Sequence, residues 1–273
     1  MPGDRATFGD VPERDNNVRV GVNGAAGQMG RTVCAAVAAD PDLVFAAAVD
    51  PDAAGEEVEG VTVADELHEF STAACDVVVD FTVAAAARVT LPWLGMHGIH
   101  AVVGTTGFTD DDLSLFRSTF GADDGPNCLI APNFAISAVL MMRFAEQAAP
   151  WFDTAEVIEL HHTRKIDAPS GTAVTTVERM AAARDADFAP DPTEVEVYPG
   201  ARGGLGPRNI RAHAVRMEGM VAHQEVILGA RGQTLTIRQD SYDRSSFMPG
   251  VVLACKQIAR RPGLVIGLDD YLD

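Results

Sequence analysis

Lysine is nearly missing from this 273-residue chain: of its 21 lysines and arginines, only Lys165 and Lys256 are lysines. Basic charge of any kind is scarce, because 39 acidic residues leave a formal net charge of -18. That balance argues against a nucleic-acid partner, since phosphate neutralisation needs basic patches. Long apolar runs are missing as well. None approaches the roughly 20 residues of a membrane helix, so no membrane partner is expected. The cysteines Cys34, Cys75, Cys128 and Cys255 form no CxxC pair and no metal-type spacing. Free thiols in a reducing cytoplasm, with no bound metal, are the expectation. Residues 1–17 are polar and acidic without an apolar core, which reads as a flexible tail and not a signal peptide.

What is present is globular. Hydrophobic residues make up 47% of the chain and charged residues 22%, over a length that suits one large domain or two of ordinary size. Strong acidity with almost no lysine also fits adaptation to high salt, where repulsion between carboxylates is screened within a few ångströms.

The rarity of lysine points to one stretch, Glu159 to Ala173, where Lys165 follows the adjacent pair His161 and His162. A guanidinium keeps its proton near neutral pH, whereas an ammonium can have its pKa lowered and serve as an acid or base. Pro169-Ser170-Gly171-Thr172 then leads into a predicted helix, offering free backbone amides and a hydroxyl suited to a carboxylate. If residues 156–162 form a strand, period-2 alternation sends the two histidines to opposite faces, so they would not share one role. The chemistry expected here is a proton donor beside an anion site, acting on a small anionic molecule.

Upstream, Val18 to Val22 is a β-branched run followed at once by Gly24-Ala25-Ala26-Gly27-Gln28-Met29-Gly30 and a helical segment. Strand, glycine turn and helix in that order make a dinucleotide fingerprint, with the pyrophosphate resting on amides at the helix N-terminus. A second strand, residues 43–49, ends in Asp50, placed to accept from the adenine ribose hydroxyls. Asp50 and Asp52 would repel a 2′-phosphate and favour NADH, while Arg31 softens that repulsion, so both NADH and NADPH stay open. Further strands are expected over 75–82, 100–103 and 127–134, with helices over 84–95, 110–120 and 137–149. The alternation implies right-handed βαβ units and a parallel sheet whose carboxyl ends gather Asp50, Phe81, Thr82, Gly104, Thr105, Thr106, Ala131, Pro132, Asn133 and Phe134.

After Pro150 the pattern changes. Strands are predicted over 156–162, 194–198, 210–217, 224–228 and 234–238, the last two joined by a five-residue loop, with helices over 172–184 and 247–260. The fold class is therefore α/β: a parallel Rossmann-type dinucleotide-binding domain plus an α+β substrate domain. The expected divisions are a tail (1–17), a dinucleotide-binding domain (18–148), a second domain (149–245), and a C-terminal helix and acidic tail (246–273) returning to the first domain.

Gly24 to Gly30, Asp80-Phe81-Thr82, Gly104-Thr105-Thr106-Gly107, Ala131 to Phe134, Glu159 through Thr172 and His213 to Arg216 together resemble the dihydrodipicolinate reductase family, across residues 18–273. The His-His-x-x-Lys-x-Asp-Ala-Pro-Ser-Gly-Thr string is the specific part. The resemblance implies hydride transfer from NADH or NADPH to a cyclic imine dicarboxylate, in the diaminopimelate route to lysine. It implies His161 as proton donor assisted by Lys165, with His162, Lys165, Gly171 and Thr172 on the substrate carboxylates. Gly24 to Met29, Asp50, Gly104 to Thr106 and Ala131 to Phe134 would hold the cofactor, and the second domain would assemble a homotetramer. Two departures stand out: Gln239 replaces a histidine common in relatives, and Ala135-Ile-Ser-Ala lacks a glycine common there. Competing readings are another two-domain dehydrogenase of a small anionic substrate, which need not keep Pro169 to Thr172 after His-His and Lys165, and a non-catalytic NAD(H) sensor, which should show degraded catalytic residues.

In molar salt the chain should melt at a higher temperature than in dilute buffer and scatter light as four copies of its 28.9 kDa mass. An unchanged melting point counts against salt adaptation, and a single-chain mass counts against the assembly.

Overall fold

Runs of valine and isoleucine too apolar to face water on either side need cover on both, and a parallel sheet between helices supplies it. The computed structural model describes residues 17–121 and 125–273, so the expected tail lies outside the described residues except for Asn17. The first half runs β1 (Val18–Asn23), α1 (Gln28–Ala39), β2 (Leu43–Val49), β3 (Glu57–Val58), β4 (Val61–Ala64), α2 (His68–Thr72), β5 (Val77–Asp80), α3 (Ala84–Met96), β6 (His100–Val103), α4 (Asp110–Thr119), β7 (Cys128–Ile130) and α5 (Ile136–Ala148). The second half continues with β8 (Thr154–His161), α6 (Gly171–Ala182), β9 (Gly204–Leu205), β10 (Arg211–Arg216), β11 (Ala222–Ala230), β12 (Gln233–Ser241), α7 (Met248–Gln257) and β13 (Leu264–Ile266).

The first sheet has the order β13-β7-β6-β5-β1-β2-β4-β3, parallel throughout except for the β3–β4 hairpin. β5 and β7 are buried at every residue, as strands covered on both faces must be. Helix α4 is held at its start by Thr109 and Asp112, each side chain bonded to the other's backbone amide, with Asp110 and Asp111 adding negative charge at the positive end. The second sheet has the order β12-β11-β8-β10-β9, with β8 and β10 parallel and the other pairs antiparallel. Helices α5 and α6 pack together over one of its faces. α7 packs on α1 and on β1, β5 and β6 of the first sheet, and Lys256 near its end pairs with Asp40 and Asp42 after α1.

Three expectations need correction. Residues 194–198 form no strand: Val195, Val197 and Tyr198 are 77%, 82% and 79% exposed, and the alternating segment finds no neighbouring strand to pair with among the described residues. The β11–β12 ladder continues to Ala230 opposite Gln233, which shrinks the expected five-residue loop to Arg231 and Gly232. Residues 264–266, expected in the acidic tail, instead add an eighth strand beside β7.

Candidate active site

Asp80 at the end of β5 is fully buried and gathers the neighbouring strand ends. It accepts from Asn23 Nδ2 at 2.8 Å, Thr82 N at 3.0 Å, Thr82 Oγ1 at 2.7 Å and Thr105 Oγ1 at 3.0 Å. Removing the carboxylate would take an acceptor from the buried Asn23 amide, at a cost of about 1–3 kcal/mol, and would untie the ends of β1, β5 and β6 from one another. Phe81 then lies flat against Gly104, where an added Cβ would approach its ring to 2.0 Å, and packs on Phe134 with centroids 5.6 Å apart.

The glycine loop closes equally tightly. A Cβ at Gly30 would lie 1.9 Å from the Gly24 carbonyl oxygen, so no other residue fits there without moving the turn. Gly27 gives no side-chain cap, which leaves first-turn amides of α1 free for an anion. A cleft of about 530 Å³ runs from Gly24 and Gly27 past Phe81 and Thr82 to Asp50 and Asp52, within the size of small-molecule sites. These residues fit a dinucleotide. Asp50 accepts from Ala26 N at 3.1 Å, so the acid expected at the ribose also ties the glycine loop to β2. Arg31 is paired with Glu56 at 2.6 Å, which weakens its offset of the acid cluster Asp50, Asp52 and Asp65 lining this cleft. Ala25, Thr105, Ala131 and Phe134 are buried, whereas Gln28, Thr106 and Pro132 are exposed.

The second sheet builds the other half. A further cleft of about 530 Å³ is lined by His161, His162, Arg164, Lys165, Ser241, Tyr242, Asp243, Arg244 and Phe247, among others. Both histidines line it, contrary to the expected opposite faces. Strand pairing of β8 stops at His161, and His162 begins a turn in which its carbonyl accepts from Lys165 N at 3.1 Å. Alternation therefore ends one residue too early to separate them. Lys165 Nζ lies 2.9 Å from both oxygens of Asp167, whose side chain is 57% exposed. Such a pair is worth about 0–1 kcal/mol, so a substrate carboxylate can take the ammonium over at little cost.

Two residues given no role by the sequence stand behind His161. Glu159, fully buried and two residues earlier on β8, accepts from His161 Nδ1 at 2.5 Å and from Arg216 through both terminal nitrogens at 2.7 and 2.8 Å. It also accepts from Ser170 N at 3.0 Å. Burial by itself would raise the Glu159 pKa, but the hydrogen bonds from Arg216 and His161 outweigh it and hold the carboxyl below its ordinary value. Burial depresses the pKa of His161, an effect that Glu159 only partly reverses. The adjacency of Glu159 and His161 on one strand face was readable from period-2 spacing; the Arg216 partner, 57 residues on, was not.

Ser170 is buried and caps α6, its Oγ accepting from Ala173 N at 3.2 Å. Gly171 has open space where a side chain would be, and Thr172 Oγ1 accepts from Asn133 Nδ2 at 3.3 Å. Ser170, Gly171 and Thr172 do not line the histidine cleft directly; they join it through the Glu159–Ser170 bond. Hydrogen bonds between the two halves include Asn133–Thr172 and the one that Arg244 donates to Gln28 of the glycine loop at 2.6 Å. Gln239 is buried, its Oε1 accepting from Ser137 and Ser241 at 3.3 Å each, so the residue replacing the family's histidine serves packing between β12 and α5.

The family model described as dihydrodipicolinate reductase, N-terminus, matches residues 18–134, and the one described as dihydrodipicolinate reductase, C-terminus, matches residues 137–272. The chain is 50% identical over 259 residues to a 4-hydroxy-tetrahydrodipicolinate reductase of Nocardia farcinica, covering 94% of this chain and 99% of that one. It is 51% identical over 259 residues to one of Corynebacterium efficiens, with the same coverage. Among solved structures, a dipicolinate-bound dihydrodipicolinate reductase from Paenisporosarcina sp. TG-14 superposes with a TM-score of 0.85 at 35% identity, covering 93% of this chain and 99% of that chain. A scyllo-inositol dehydrogenase from Lactobacillus casei reaches a TM-score of 0.61 at 12% identity, covering 94% and 93%, a likeness of fold alone.

Replacing Asp50 with alanine should weaken binding of NADH more than of NADPH, measured as dissociation constants on the purified protein. Equal loss for both would remove the contact with the ribose hydroxyls.

Proposed function

The chain belongs to the dihydrodipicolinate reductase family, and from that premise we propose how its own residues carry the reaction. The enzyme reduces 4-hydroxy-tetrahydrodipicolinate, or the dihydrodipicolinate left when that compound loses water, to tetrahydrodipicolinate with NADH or NADPH, a step of lysine biosynthesis through diaminopimelate.

The charge of the histidine cleft carries the assignment of roles. In a chain with net charge -18, this cleft is lined by the cations Arg164, Lys165 and Arg244 and by one carboxylate, Asp243, with the exposed Asp167 paired to Lys165. The Asp243 carboxylate is already occupied by the amide and hydroxyl of Ser245. A locally positive cleft in an acidic protein draws a small dianion in, against the repulsion of the rest of the surface. We assign one substrate carboxylate to Lys165 and His162 and the other to the amides of Gly171 and Thr172 at the start of α6, with Ser170 shaping that turn. The bound nicotinamide supplies the hydride, held by the glycine loop Gly24 to Met29, by Asp50, and by the strand ends Phe81-Thr82, Gly104 to Thr106 and Ala131 to Phe134. His161 protonates the substrate as it accepts the hydride, and Lys165 neutralises the charge that remains on the carboxylate.

The same reading extends to a homotetramer in the cytoplasm. What supports assembly is the exposed apolar surface of the second half, including Val195, Val197, Tyr198 and Leu205. What supports a reducing compartment is that Cys34, Cys75, Cys128 and Cys255 are free and buried, with burial raising every thiol pKa far above its ordinary value.

His161→Ala and Lys165→Ala should each lower kcat by roughly 10²- to 10⁴-fold with the fold intact, read from NADH oxidation with freshly generated substrate alongside circular dichroism. Near-normal turnover in both variants would end the assignment of roles.

A further inference from the structure

We infer that Glu159 is a positioning residue for His161: its carboxylate takes the Nδ1 hydrogen, turning Nε2 toward the cleft as the atom that hands a proton to the substrate. The inference builds on the reading of His161 as proton donor. It starts from the four bonds that converge on one fully buried carboxylate. Oε1 accepts from Arg216 Nη2 and Ser170 N, and Oε2 accepts from Arg216 Nη1 and His161 Nδ1.

A carboxylate facing a bidentate guanidinium stays ionised and so has no hydrogen of its own to donate. The hydrogen in the 2.5 Å contact must therefore belong to His161 Nδ1. That fixes the neutral ring as the Nδ1–H tautomer, with the lone pair on Nε2. When the ring is cationic, the second proton sits on Nε2. In the reaction the Nε2–H bond breaks, its electron pair stays on Nε2, and the proton bonds to the substrate atom made electron-rich by hydride addition. The ring returns to the Nδ1–H form with Glu159 never protonated. A carboxylate behind a histidine is a recurrent way to hold ring and tautomer at once.

The surroundings distinguish this from a plain buried ion pair. Among the described residues, Glu159 is the one anion in hydrogen-bond contact with the ring, on its own strand. Arg216 on β10 and Lys165 in the following loop both disfavour the imidazolium, as does burial. Arg164 in that loop and Tyr242, Asp243 and Arg244 across the cleft are further charged and titratable groups lining the site, with His162 beside it and Asp167 held by Lys165. Glu159 therefore opposes several influences that discharge the ring. Arg216 also donates to the Asp167 carbonyl at 2.6 Å, so the guanidinium that keeps Glu159 ionised fixes the backbone beside the partner of Lys165.

The test uses the full-length enzyme labelled with ¹⁵N-histidine, with the His161 signals assigned by their loss in His161→Asn. Above its titration, wild-type His161 should show a protonated Nδ1 and an unprotonated Nε2. In Glu159→Gln the His161 titration should move to lower pH, and because the donor must be protonated, the fall of kcat/KM with rising pH should move the same way. Turnover should drop by about 10²- to 10⁴-fold with a smaller change in KM. A resting Nε2–H tautomer in the wild type overturns the inference whether or not the variant folds, and so does an unshifted His161 titration in a folded Glu159→Gln. If the Nδ1–H tautomer is found but His161→Ala turns over normally, the donor reading fails and the Glu159 contact is reduced to structure.

Discussion

A bidentate ion pair inside the second sheet, Glu159 with Arg216, is the contact from which the site is built. Charges withdrawn from water are expensive, and such a pair gains from having its remaining hydrogen-bonding capacity met. Here the carboxylate side is met by the His161 ring and the Ser170 amide, and Arg216 donates further to the Val215 and Asp167 carbonyls while its buried Nε has no partner among the described residues. The parallel pairing of β8 with β10 places Arg216 beside His161 and thereby within reach of Glu159. Without that register the histidine would have no fixed tautomer and the start of α6 no fixed distance from it.

The first sheet solves a matching problem around Asp80, whose buried carboxylate gathers donors from three strand ends. Each half thus organises its loops around one buried acid. Arg244 joins them, lining the histidine cleft while donating to Gln28 in the glycine loop. Asn133 of the first half also donates to Thr172 of the second. The protein is strongly acidic, yet Arg164, Lys165 and Arg244 all line the histidine cleft.

The sequence made the parallel sheet readable because β1, β2, β5 and β6 are apolar runs at regular spacing between helical segments. Short strands gave no such signal. Leu264–Ile266 has three residues between Gly263 and Gly267, too few to show a period, and its partner β7 lies far back in the chain. Residues 194–198 showed the opposite error: alternation without a neighbouring strand to pair with, leaving Val195 and Val197 in solvent. At the site, His161, His162 and Lys165 were legible from composition and spacing, but their common cleft was not, because the end of β8 at His161 depends on which residues its neighbours pair with. Glu159 lay in view beside them without a role, since its meaning comes from Arg216 on another strand.

In the proposed mechanism the proton donor and the carboxylate-binding groups form one device, with His161 held from behind by Glu159 and facing the bound dianion. It is tested most directly by following the His161 ring through a pH titration of the wild-type enzyme, with and without saturating dipicolinate. The bound dicarboxylate should raise the His161 pKa from its depressed value in the free enzyme and place a proton on Nε2. A titration curve unchanged by dipicolinate would contradict it.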